Sequence, residues 1–162
     1  MVKAASVNVL MARTICSGKY LVAVGGDVAS VSAAVDAGAS AGKGAVIEKR
    51  VISRVHSGIF PAIMGATYLE PGQARALGVI ETFSASSIIE VADAAAKAAD
   101  VTLFRVHLAM ALGGKGFVLM TGDVASVEAA VAVGSRVAGQ DGILVDRAVI
   151  AAPAKELFRE FV

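Results

Sequence analysis

Gly26-Asp27-Val28-Ala29-Ser30-Val31 recurs letter for letter as Gly122-Asp123-Val124-Ala125-Ser126-Val127, and the chain is organised around that recurrence. Each copy follows an apolar run opened by Gly-Lys, at Gly18-Lys19 and at Gly114-Lys115, and each is followed by Ala-Ala-Val, at residues 33–35 and 129–131. The unit reads as a buried strand, a Gly-Asp turn whose aspartate serves as N-cap, and a helix. Val28, Val31 and Val35 share one face of the first helix; Val124, Val127 and Val131 share the same face of the second. Such a duplication predicts two repeats of one α/β module.

The length of 162 residues suits two small domains, yet the composition is 56% hydrophobic and only 18% charged, with a mean hydropathy of +0.71. That is more apolar surface than two small cores consume. A membrane is excluded as its destination, because a charged residue interrupts every apolar run before it reaches the roughly 18–20 residues of a spanning helix. Contacts between subunits are the better outlet, since obligate interfaces resemble a core cut in half. The net charge of +1, without a block of like charge, gives no support to nucleic acid or an anionic membrane surface as partner. A single cysteine rules out an internal disulfide and suits a reducing cytosol. The first residues carry no hydrophobic signal core.

Taken in order, residues 7–13 read as a strand, 14–18 as a loop and 19–24 as its antiparallel partner. Residues 27–40 read as a helix, 45–54 as a strand and 57–67 as a short irregular helix containing Pro61. Pro71-Gly72 marks the boundary between a first domain, residues 1–70, and a second, residues 74–162. The second half opens with a strand at 76–82 and a helix at 84–99, in which Ser87-Ile88-Ile89-Glu90 has a capping-box pattern. From Lys97-Ala98-Ala99-Asp100-Val101, which matches Lys3-Ala4-Ala5-Ser6-Val7, the copies run in parallel: strand 101–107, loop 108–114, strand, helix 123–138, strand 142–150 and a terminal helix after Pro153. The first copy therefore lacks the opening strand and most of the first helix. Its sheet edge and apolar face are expected to be bare, unless the natural chain starts about twenty residues upstream or a neighbouring subunit fills the gap.

The second half, from Ala76-Leu77-Gly78-Val79-Ile80-Glu81-Thr82 through Gly122-Asp123-Val124 to Val149-Ile150, resembles the bacterial microcompartment (BMC) shell domain. The first half carries the same domain from the middle of its first helix onward. The whole is therefore similar to the tandem-domain, trimer-forming shell proteins (BMC-T). Thr14-Ile15-Cys16-Ser17-Gly18-Lys19, with Arg105-Val106-His107 and Gly113-Gly114-Lys115, resembles the PduT-like subtype. The resemblance implies an α/β fold of the α+β, ferredoxin-like kind and a homotrimeric pseudohexamer that tiles the shell of a compartment in the cytoplasm. The implied partners are other shell proteins and the encapsulated enzymes. It also implies a pore that carries an iron-sulfur cluster, which either relays electrons across the shell or plugs the opening.

On that resemblance Cys16 is the metal ligand, with Thr14, Ile15, Ser17 and Gly18 lining the pore. Three chains would bring three thiolates together, and a [4Fe-4S] cluster supplies the compensating cations, its fourth iron taking water or an outside ligand. By itself Cys16 reads equally as an ordinary loop thiol. Lys3, Lys97, Arg54 and His56 fall at the positions that in the family lie along the tile edge; without the family, the lysines read as solvated helix-end charges. The run Gly113-Gly114-Lys115-Gly116 is not a phosphate loop, because Ala109 stands where the first glycine belongs and Gly116 where Ser or Thr follows the lysine. His107 has no second ligand at metal spacing. Glu81, Glu90 and Asp93 have no nucleophile beside them and read as caps and solvated faces, so no catalytic centre is expected. A cytosolic, oligomeric ferredoxin-like regulator that binds a metabolite between the repeats is the alternative from another functional class.

Overall fold

The computed structural model describes residues 1–16, 18–69, 72–109 and 112–159. The chain forms two compact units, Met1–Arg54 and Val55–Val162.

In the first unit β1 (Asn8–Ile15) and β2 (Lys19–Gly25) make an antiparallel hairpin, followed by α1 (Val28–Gly42). The Asp27 carboxylate accepts from the Ser30 backbone N–H at 2.9 Å, which is the N-cap the repeated Gly-Asp turn predicts. β1 runs two residues further than expected, because the β-branched Thr14 and Ile15 extend the ladder to Tyr20 and Lys19. The strand expected over 45–54 does not form: a 3-10 turn at Lys43–Ala45 gives way to irregular backbone. The cause lies in the pairing. The corresponding segment of the second unit is a strand only by virtue of a partner that the first unit has no counterpart for. Among the described residues of this unit only Ala34 is fully buried.

The second unit opens with α2 (Ile59–Met64), whose Pro61 sits within the first turn, where no backbone donor is needed. The helix ends on Gly65 at φ +66°, a left-handed cap. Then come β3 (Ala76–Thr82), α3 (Ser87–Ala98), β4 (Thr102–Leu108), β5 (Gly116–Gly122), α4 (Val124–Gln140), β6 (Leu144–Ile150) and α5 (Lys155–Arg159). The sheet order is β4-β5-β3-β6 with every pair antiparallel, the βαββαβ arrangement of a ferredoxin-like module. β6 is the outer strand and pairs with β3.

Packing explains the glycines within these elements. A Cβ on Gly78 would lie 2.8 Å from Met120 Cγ, 2.8 Å from Val127 Cγ1 and 2.9 Å from Val131 Cγ2, so α4 rests directly on β3. A Cβ on Gly134 would meet Ile80 Cδ1 at 2.6 Å and the Val91 carbonyl oxygen at 3.2 Å, which lets α4 close onto α3. Ile80, Ile88, Val91, Val106, Val118 and Val127 are buried in this core. On the opposite sheet face Leu77, Phe104, Leu119 and Phe158 form a second cluster, with the Phe104 and Phe158 rings 5.6 Å apart. α3 starts at Ser87 rather than Ser84, and the capping box does not form: Ser87 donates its N–H to Ser84 Oγ at 3.3 Å. Residues 55–69 belong to the first repeat by sequence, yet α2 packs on β4 of the second unit. The compact units therefore divide at Arg54/Val55, ahead of the repeat boundary read at Pro71-Gly72; Pro71 itself lies outside the described residues.

Candidate functional site

Cys16 follows the last residue of β1, in a three-residue connection between the paired Ile15 and Lys19. Gly18 closes that connection at φ +68°, the left-handed residue that a three-residue hairpin loop calls for. Cys16 is half-buried, Thr14 and Gly18 are exposed, and Ile15 is half-buried. Ser17, the remaining residue of the expected pore set, lies outside the described residues. The hairpin thus presents one thiol at its tip. The corresponding connection of the second repeat, residues 109–115, is longer, rich in glycine and without cysteine.

The four expected edge residues divide between the units. Lys3 lies exposed in the N-terminal turn, where Ala4 donates to the Met1 carbonyl at 2.9 Å. Arg54 is exposed at φ +52°, a left-handed conformation that a non-glycine residue holds at a cost. In the second unit His56 and Lys97 meet on one carboxylate. Asp93 accepts from the His56 backbone N–H at 2.7 Å and from Lys97 Nζ at 2.5 Å. Asp93 is 5% exposed, so the expectation of a solvated carboxylate is corrected. It sits among Ala92, Ala95 and Ala96 on the buried face of α3 and ties the start of the 55–67 segment to that helix. An acidic residue four positions before a lysine, inside an alanine-rich apolar face, is the sequence signal that would have identified it. His56 Nδ1 accepts from the Gly58 N–H at 3.2 Å, and the residue lines an open cleft of about 330 Å³ shared with Pro61, Thr67 and Thr102.

The glycine-rich connection has its lysine engaged: Lys115 Nζ lies 2.6 Å from Glu81 Oε1. Gly113 and Gly114 take positive φ, while Gly116 is the first residue of β5 and packs against Ile88. Glu81 and Asp93 are therefore held apart by separate cationic partners. His107 stacks on Phe117, with ring centres 4.9 Å apart and planes 8° from parallel. Among the described residues no three His, Cys, Asp or Glu side chains converge as a metal site within one chain.

The BMC domain family profile matches residues 1–55 and again residues 76–153. The chain belongs to the BMC-domain family. Along all 162 residues it is 41% identical to the bacterial microcompartment shell protein PduT of Citrobacter freundii, covering 87% of that protein. A carboxysome shell protein of Synechococcus elongatus, CcmK2, is 40% identical over 86 residues, 51% of this chain and 80% of the relative. Among solved structures, a microcompartment protein from Desulfitobacterium hafniense superposes with a TM-score of 0.90 at 45% identity, covering 98% of this chain and 87% of that one. A fused permuted hexameric shell protein of the RMM microcompartment shares the fold, with a TM-score of 0.60 at 24% identity over 86% of this chain and 71% of its own. Two BMC domains in one PduT-like chain make this a shell protein of the tandem class. Its place is the microcompartment shell within the cytoplasm.

Proposed function

We propose that the chain is a structural tile without catalytic activity: three copies close into a six-lobed pseudohexamer, pave the compartment shell beside other shell proteins, and bring their Cys16 side chains together around a central pore. The reading is carried by the fusion of two BMC repeats in a chain that matches PduT from end to end. A head-to-tail ring also gives the surplus apolar surface somewhere to go. Cargo enzymes would be partners on the inner side of such a shell. Glu81 and Asp93 are engaged by Lys115, and by Lys97 and the His56 backbone, so neither supports acid-base chemistry.

A [4Fe-4S] cluster fits the donor set only as a shared group. One chain offers one thiolate at a hairpin tip, and three such tips would supply three of its four ligands. The cluster would provide a one-electron couple at the opening. Around it, this chain's residues set access: Gly18 turns the loop, and Thr14 and Ile15 hold the hairpin in register.

Light scattering tests the ring: the expected mass is three times the 16.3 kDa of the chain, and a monomer or twofold pair would overturn the reading. Concentrated protein is expected to form hexagonal sheets in the electron microscope. Anaerobically purified protein is expected to carry four irons per three chains with broad absorption near ~400 nm. Cys16→Ala should abolish both while leaving the mass unchanged; iron retained by that variant would remove the cluster from the proposal.

A further inference from the structure

The outer edge of β2 and the face of α1 form an acceptor site built for a strand and helix that the described chain does not supply. Within the second unit β5 pairs on both sides, with β4 and with β3, whereas β2 pairs with β1 only. The side chains around that edge record the same difference. Val22 is 41% exposed, while its repeat counterpart Val118 is fully buried. Val46, Ile47 and Val51 are exposed along the irregular segment that corresponds to β6. α1 buries Ala34 alone, but α4 buries Val127, Ala130, Val131 and Gly134 among others. Fully covering one Val or Leu is worth about 1.5–3 kcal/mol, so this face carries a strong drive toward a partner.

We propose that this face binds a separate polypeptide segment, an antiparallel strand followed by an amphipathic alanine-rich helix, with the chemistry of β3 and α3. This is strand addition to an open sheet edge, with pocket-level selection of alternate side chains. The repeat defines the selection. In the second unit Gly78 lies opposite Met120 and under Val127 and Val131, where no Cβ fits. Val24, Val31 and Val35 occupy the matching positions, so the incoming strand needs glycine opposite Val24. Gly38 corresponds to Gly134, over which Ile80, Val91 and Ala95 pack; in the first unit the Met1 side chain covers Gly38 instead, its Cγ only 2.6 Å from where a Cβ would stand. Met1 is the placeholder that the bound helix displaces. The inference rests on the internal repeat and is independent of the cluster at Cys16.

A synthetic peptide with the sequence of residues 74–99, added to the isotopically labelled full chain, tests it by amide exchange. The β2 amides that do not bond to β1 should slow at least about tenfold, and the Met1 methyl resonance should shift. The same peptide carrying Gly78→Val should leave both unchanged. A second arm grafts a copy of residues 74–96 ahead of Lys3; it should protect β2 without added peptide and induce strand structure over 46–52. Unchanged β2 exchange in both arms overturns the proposal. So does equal protection by the Gly78→Val peptide, or protection in the unmodified chain that grows with concentration, which would mean that β2 edges of two copies pair instead. Sheet formation and iron content are read on the chain alone, so loss of the tile reading would be seen separately.

Discussion

The Asp27 and Asp123 carboxylates are the residues whose role was plainest in the sequence and whose behaviour is most directly testable. Each takes hydrogen bonds from the serine three positions on, and for both the side-chain bond from that serine is the chief cause that holds the carboxyl below its usual value of 3.8. A carboxyl that binds its proton less readily when folded favours the folded state above its unfolded pKa. That contribution is lost as pH falls from about 4 through the lower folded value. Asp123→Asn keeps an acceptor at the cap, so thermal melts of the variant at pH 7 should resemble those of the parent. Between pH 4 and pH 2.5 the variant should lose less melting temperature than the parent does. Arg54 gives a second test at this scale. Since its φ of +52° suits glycine, Arg54→Gly should gain about 1 kcal/mol in a denaturant titration while weakening sheet assembly, which separates the edge role of the guanidinium from its effect on the fold. Asp93 was misread for a physical reason: its burial comes from the 55–67 segment folding back onto α3, and nothing local to the helix announces that contact.

At the level of elements, regular structure was legible wherever a segment carries its own partner or periodicity. The caps, the hairpin of β1 and β2, and all of β3 to β6 follow from alternation and turn chemistry. Residues 45–54 look like a strand by composition, because β propensity describes how well side chains fit a pleated, half-covered surface. They are not one here, because a strand is a property of a pair. The same logic gives opposite expectations for two glycines. Gly78→Ala should destabilise the fold by about 1–3 kcal/mol, because the added methyl meets Met120, Val127 and Val131 all within 3 Å. Gly139→Ala, in α4 with no atom near the added Cβ, should instead stabilise by about 0.5–1 kcal/mol. Chemical denaturation of both variants checks the contrast, and equal effects would mean that the α4 to β3 approach is looser than described.

For the whole molecule, the duplication was legible but its unequal outcome was not. One repeat completes a four-stranded sheet with two covering helices; the other is a hairpin, a helix and an irregular tail. Amide exchange should therefore divide the chain. β3 and β5 should open only with global unfolding, while β1, β2 and α1 exchange orders of magnitude faster in the isolated chain. A uniform exchange profile would contradict that division. The site was legible in part: Cys16 stands out as a lone thiol beside a turn-forming glycine, but its role depends on a rotation axis that no single chain contains.

The two hairpin connections differ, one short and tipped with sulfur, the other longer, glycine-rich and sulfur-free. Because both are encoded in one polypeptide, any closed wheel made from it alternates two kinds of spoke around the hub. Gene fusion thus lets a sixfold scaffold present an odd number of identical donors, an arrangement that six equal subunits have no way to reach.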